Sequence, residues 1–254
     1  MKRAAIFLIS TLWMLGGCVS TSSEVATPDL ERAAAINLQL GIDYLRKGNL
    51  AQAKEKIERS LEQNPRSADA HSVAAMLYDR LNEVDKADEQ YDRALSLKPN
   101  DPEIKNNYAV FLCQRKKRYE RGERYALEAA EDRLYATPEV ALVNAGNCAQ
   151  NAEKLDRAEE HYRRAIRLKP RFPAALLQMA ELEYRKGEYL SARAFLERYL
   201  SVARTSAQTL WLGVRIERGL GNEAQAQHYA RRLKNEYPTA IQTKELLESE
   251  RNPG

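Results

Sequence analysis

The sequence predicts an all-α solenoid, six helical hairpins stacked in a row and closed by a capping helix. Three observations carry this. A unit with small and aromatic residues at fixed offsets recurs along the chain, most plainly in Ala68–Pro99. A proline closes most of the units: Pro65, Pro99, Pro170 and Pro238. The register also holds, because the 173 residues from Pro65 to Pro238 are five steps of 34 plus three extra residues in the third unit.

In Ala68–Pro99 the first half sets Ala74, Ala75 and Tyr78 on one helical face, and the second half sets Ala87, Tyr91, Ala94 and Leu95 on another. Small residues let two antiparallel helices approach closely, and aromatics fill the gaps between neighbouring pairs. One hairpin cannot bury its own apolar face, so it stacks on copies of itself. The spacing resembles that of the tetratricopeptide repeat (TPR), which implies a right-handed superhelical solenoid.

Taken in order, residues 1–17 read as a lipoprotein signal peptide. Lys2 and Arg3 form a charged start and Ala4–Leu15 an apolar run, shorter than the ~20 residues that span a bilayer. The run ends in Leu15-Gly16-Gly17-Cys18, which resembles the bacterial lipobox. The likeness implies acylation of Cys18, each buried methylene contributing about 0.8 kcal/mol to the anchor. Val19 stands where an aspartate would mark inner-membrane retention in the lipoproteins this resembles, so the outer membrane is expected. Residues 18–29, rich in Ser, Thr and Pro, read as a lipidated flexible tether.

The TPR domain is expected over 30–249. Repeat 1 (about 34–66) carries Leu40, Gly41 and Tyr44, then Ala53, Ile57 and Leu61, with Gly48-Asn49 at its turn. Repeat 2 is about 68–100. Repeat 3 (about 102–137) departs from the pattern: Tyr108, Ala109 and Leu112 lead to a turn one residue longer, Gly122 takes the small position, and the exit adds about two residues. Repeat 4 (about 139–171) has Ala145, Gly146 and Ala149, then Ala158, Tyr162 and Ala165. Repeat 5 (about 173–205) lacks the closing proline. Repeat 6 (about 206–239) is expected to have one extra turn residue, absorbed by an early start. A helix over about 240–249 would cover the last apolar face, and Arg251–Gly254 reads as a frayed end.

Without Lys2 and Arg3 the 40 basic residues fall to 38, against 36 acidic. This near balance makes no electrostatic case for nucleic acid. His71, His161 and His228 fall in different repeats, and no metal, nucleophile or phosphate-loop pattern emerges. The chain is therefore read as a binding protein, with no enzyme activity, cofactor, metal or small-molecule substrate, and as a monomer.

In TPR terms, the second, fifth, ninth and twelfth residues of each repeat point into a concave groove. In repeat 1 these are Ala35, Leu38, Ile42 and Leu45, all apolar. Repeat 2 supplies Met76, with Arg80 beside it, repeat 3 Asn106 and Val110, and repeat 4 Asn147. The groove is thus apolar at its N-terminal end and amide-rich in the middle. Exposed apolar surface of this kind marks a partner site, unless repeat 1 packs against the preceding Leu30–Ala33.

Cys113 and Cys148 lie in A helices of neighbouring repeats, 35 residues apart. They are read as a disulfide, which the periplasm permits, with two buried thiols as the alternative. The basic stretch Arg115–Arg124 falls at the turn of repeat 3. It reads as a solvated turn or as a contact for anionic lipid or an acidic partner.

Six such repeats behind a lipobox, with the segments Asn106-Asn107-Tyr108-Ala109-Val110-Phe111-Leu112-Cys113 and Asn144-Ala145-Gly146-Asn147-Cys148-Ala149, resemble the PilF/PilW type IV pilus biogenesis lipoproteins. The resemblance implies a pilotin: an outer-membrane lipoprotein that binds the secretin PilQ and promotes its localisation and multimerisation. Pilus assembly and twitching motility would depend on it. The rival expectation is a TPR lipoprotein adapter for peptidoglycan enzymes or outer-membrane protein assembly, since fold alone does not give function.

Overall fold

The computed structural model describes residues 27–251; the signal peptide, Cys18, most of the tether and residues 252–254 lie outside them. Among the described residues there are thirteen helices and no strands. Six hairpins follow one another: α1 (Thr27–Arg46) with α2 (Leu50–Gln63), α3 (Ala68–Arg80) with α4 (Val84–Leu97), α5 (Pro102–Gln114) with α6 (Tyr119–Glu131), α7 (Pro138–Asn151) with α8 (Leu155–Leu168), α9 (Pro173–Arg185) with α10 (Tyr189–Leu200), and α11 (Ala207–Gly219) with α12 (Glu223–Glu236). The capping helix α13 (Ile241–Arg251) closes the row.

Local chemistry starts the odd-numbered helices. The Ser67 side chain accepts from Ala70 N, and that of Asp101 from Glu103 N and Ile104 N. Ser206 and Thr209 form a reciprocal capping box. Prolines open α5, α7 and α9, where the missing N–H has no partner to lose. The tight turn to each even-numbered helix passes through one left-handed residue: Gly48, Asn82, Lys117, Glu153, Gly187 and Gly221. These recur every 34 residues except on either side of Lys117, where the third repeat's extra residues fall.

Two boundaries differ from the sequence reading. Helix α1 begins at Thr27, three residues inside the expected tether, because Pro28 is tolerated in a first turn and Asp29 favours a helix N-terminus. Repeat 6 has neither an early start nor an extra turn residue. Ser206 is the N-cap rather than the first helical residue, and Gly221 follows Gly187 by one ordinary repeat.

The core runs the length of the row between helices. Ala53, Ile57, Ala74 and Leu77 join repeats 1 and 2. Tyr91 and Tyr108 stack with ring centroids 4.9 Å apart across the next seam. A continuous cluster from Leu142 to Ile216 joins repeats 4 to 6. Gly146 shows why one position stays small: a Cβ there would lie 2.3 Å from the Tyr162 ring of the facing helix. Helices α1, α3, α5, α7 and α9 touch in succession, whereas each even-numbered helix packs mainly on its own partner and the next odd-numbered helix, with side-chain pairs alone bridging one even-numbered helix to the next. The odd-numbered helices therefore line the inner face of the solenoid.

Candidate partner-binding groove

The exposed stripe of the inner helices sets the chemistry of the groove. At its N-terminal end a cavity of about 410 Å³ opens between α1, α3 and the start of α5. Leu38, Ile42, Leu45, Val73 and Met76 form its apolar wall, and Asp69, Arg80, Asp101 and Glu103 edge it. The structure thus brings together five of the residues expected in the groove: Leu38, Ile42, Leu45, Met76 and Arg80. The alternative packing for repeat 1 does not occur, because Leu30–Ala33 is the first part of α1 itself and Leu30 is exposed.

The remaining expected positions fall elsewhere. Ala35 is exposed one turn outside the cavity. Asn106 is buried and accepts a 2.8 Å hydrogen bond from the Asn144 amide, and Asn107 faces the cavity in its place. Val110 and Asn147 sit half-buried further along, with the Asn147 Oδ1 accepting from the Tyr162 hydroxyl at 2.8 Å. Leu45 is only 4% exposed and belongs to the core as much as to the cavity floor. Arg80 Nη1 donates to the Leu45 carbonyl at 2.6 Å, satisfying the C-terminal end of α1.

The Cys113 and Cys148 sulfurs are bonded across α5 and α7, with the Cα atoms 5.4 Å apart. Gly122 makes room for the bridge. A Cβ there would meet Cys113 Sγ at 2.2 Å and the Ala109 carbonyl oxygen at 2.9 Å. Beside it the buried Glu123 carboxylate of α6 receives His161 Nε2 and Arg157 from α8, each at 2.8 Å.

The basic stretch is neither free nor merely solvated. Arg115 pairs with Asp79 at 2.8 Å, and Lys116 with Asp85 and Asp88 at 3.1 and 3.2 Å. Arg121 pairs with Asp92 at 2.9 Å and stacks over the rings of Tyr108 and Tyr125. These charges zip repeat 3 to repeat 2. Single-residue reading missed them, but the signal was present: opposite charges about one repeat apart in sequence are neighbours across a solenoid seam. Among the described residues no group of three His, Cys, Asp or Glu side chains is arranged to hold a metal, and no helix is long and apolar enough to cross a membrane.

Tetratricopeptide-repeat family models match residues 38–102 and 150–210. The type IV pilus assembly protein PilF of Pseudomonas aeruginosa is 32% identical over 248 residues, covering 96% of this chain and 97% of its own length. The chain belongs to the PilF/PilW family of type IV pilus biogenesis proteins. The solved structure of PilW, described as a widely conserved type IV pilus biogenesis factor, superposes with a TM-score of 0.80 at 32% identity, over 84% of this chain and 98% of PilW. That of P. aeruginosa PilF gives 0.75 at 32% identity, over 87% and 99%. Yeast Tom70 shares the fold alone, at 21% identity over 75% of this chain and 40% of its own, with a TM-score of 0.61. Like its PilF/PilW relatives, the chain is a TPR protein of pilus biogenesis.

Proposed function

We propose that this PilF/PilW protein is a pilotin. It is anchored to the periplasmic face of the outer membrane by acyl chains on Cys18. Its N-terminal cavity captures an apolar segment of the secretin PilQ, and so promotes PilQ localisation and multimerisation there. The observation that supports this reading is the apolar cavity between repeats 1 and 2, open to the groove in a chain whose family acts in pilus assembly. Anchoring raises the local concentration of captured subunits, which favours a multimer without any new contact between them. The cavity walls read a partner side chain as an anchor in a pocket, and the flanking Asp69, Arg80 and Glu103 keep an empty groove wet at its rim.

The test uses Leu38→Asp and Ile42→Asp, because both side chains are half-buried on the cavity wall and neither belongs to the core cluster that holds Leu45. In cells carrying either variant at normal abundance, heat-stable PilQ multimers are expected to vanish from the outer-membrane fraction, and twitching with them. A Cys18→Ala chain is expected to give the same loss through the anchor. Normal multimers in both cavity variants would overturn the capture role.

A further inference from the structure

Beyond the amide-rich middle, the inner face changes chemistry again. Helices α9 and α11 present Glu181, Tyr184, Gln208, Trp211 and Arg215 there, all at least half-buried except Gln208. The Arg215 guanidinium lies over the Tyr184 ring, 4.7 Å from its centroid, and over the Trp211 ring at 5.6 Å. Its Nε is buried without a hydrogen-bond partner, and it enters no ion pair among the described residues. The neighbouring Glu181 carboxylate accepts from the Gln208 amide at 2.6 Å instead. Arg193, Lys186 and Arg232 of the same half are paired, with Glu217, Glu159 and Glu236.

An arginine held between two aromatic rings has given up its rotamer freedom before any ligand arrives. Its planar fork matches a carboxylate at two points, which an ammonium does not. Next to it, α7 and α9 offer Gln150 and Gln178, whose Oε1 atoms each lie 3.4 Å from the Tyr162 hydroxyl. Such amides carry both the donors and the acceptors that a passing peptide backbone needs.

We propose that repeats 5 and 6 form a second binding subsite, in which Arg215, clamped by Tyr184 and Trp211, takes the carboxylate of an acidic side chain in an extended peptide. The stem of that side chain lets the backbone lie over the amides of α7 and α9 while its carboxylate reaches α11. The fork makes no hydrogen bond or close ion pair among the described residues, and its positive charge, which also acts through space on the Glu181 carboxylate, supplies the charge complementarity. This subsite is separate from the cavity of repeats 1 and 2 and holds whichever protein supplies the peptide.

Trp13 and Trp211 are the two tryptophans of the chain. In the full-length protein carrying Trp13→Phe, Trp211 fluorescence therefore reads the subsite directly. Randomised peptides, acetylated and amidated so that neither end is charged, are selected against this protein and against the same chain with Arg215→Gln. The expected result is enrichment of Glu or Asp at one position, lost with Arg215→Gln. The best peptide should shift Trp211 emission, and its Glu→Gln counterpart should bind about tenfold or more weakly. That comparison uses the unmodified site, so it stands even where Arg215→Gln disturbs the helix pair. No acidic enrichment, or enrichment that survives Arg215→Gln, would overturn the proposal. So would binding that appears only when the same peptides are remade with a free C-terminal carboxylate, which would make the ligand a chain end. None of these outcomes bears on the Leu38 and Ile42 variants.

Discussion

Glu183 is buried on α9 with Oε1 unpartnered by any hydrogen bond, and the nearest guanidinium, that of Arg163, stands off at 3.7 Å. Burial pushes its carboxyl above the ordinary range, and the charge of Glu159 adds to the shift. The folded protein therefore holds this proton to a higher pH than the unfolded chain, whose glutamates release theirs near pH ~4.3. Stability contributed here is present below that pH and falls as pH rises through the raised folded value. Glu183→Gln is expected to raise the denaturant midpoint at pH 7 and to leave it nearly unchanged near pH 4; a lower midpoint at pH 7 would refute the assignment. This residue was invisible in the sequence because a glutamate one position off the exposed stripe looks like any other helix charge. Asn106 and Asn107 show the same limit in the groove. The repeat rule placed Asn106 on the inner face, but a helix turns ~100° per residue, and a one-residue phase error exchanged a buried amide for the exposed one.

The helices themselves were legible because their signals are local. Small residues, caps and prolines fix where each helix starts, and α5, α7 and α9 open on the prolines that mark them. The short turns are a more sensitive element. Three of the six hairpins turn through glycine, and three put Asn82, Lys117 or Glu153 into the same left-handed conformation. Glu153, at φ 60°, is exposed and makes no ion pair among the described residues, so its Cβ is strained there without return. Glu153→Gly is expected to stabilise the protein by about 0.5–1 kcal/mol, since relief of the left-handed strain exceeds the added entropy of the unfolded chain. Equilibrium unfolding in urea checks this, and a lower midpoint would show that the turn at repeat 4 holds Glu153 by contacts of its own.

Over the whole molecule, the stack of six repeats followed from one periodicity, whereas what joins repeat to repeat did not. Arg121 with Asp92, Glu123 with His161 and Arg193 with Glu217 each bring together residues from adjacent hairpins. A pattern read within one unit cannot show them. The sulfur bridge was legible from two cysteines one repeat apart; the need for Gly122 beneath it was not. Unfolded without reductant, the protein should show no free thiol at Cys113 or Cys148. Replacing both by alanine is expected to cost about 2–4 kcal/mol by chain-entropy reasoning, with the remaining stability indifferent to dithiothreitol. These ties are unevenly spread. The seams from repeat 2 to repeat 6 carry ion pairs or the bridge, while repeat 1 is joined to repeat 2 by apolar packing and hydrogen bonds, Tyr78 to Glu58, Arg80 to Leu45 and His71 with the Pro65 carbonyl among them. The first joint thus differs in kind from the others: it closes on apolar surface rather than on charge, and the cavity spans it. Salt screens charge pairs and leaves apolar contacts in place, so concentrated salt would loosen the later seams while the first joint and its cavity hold.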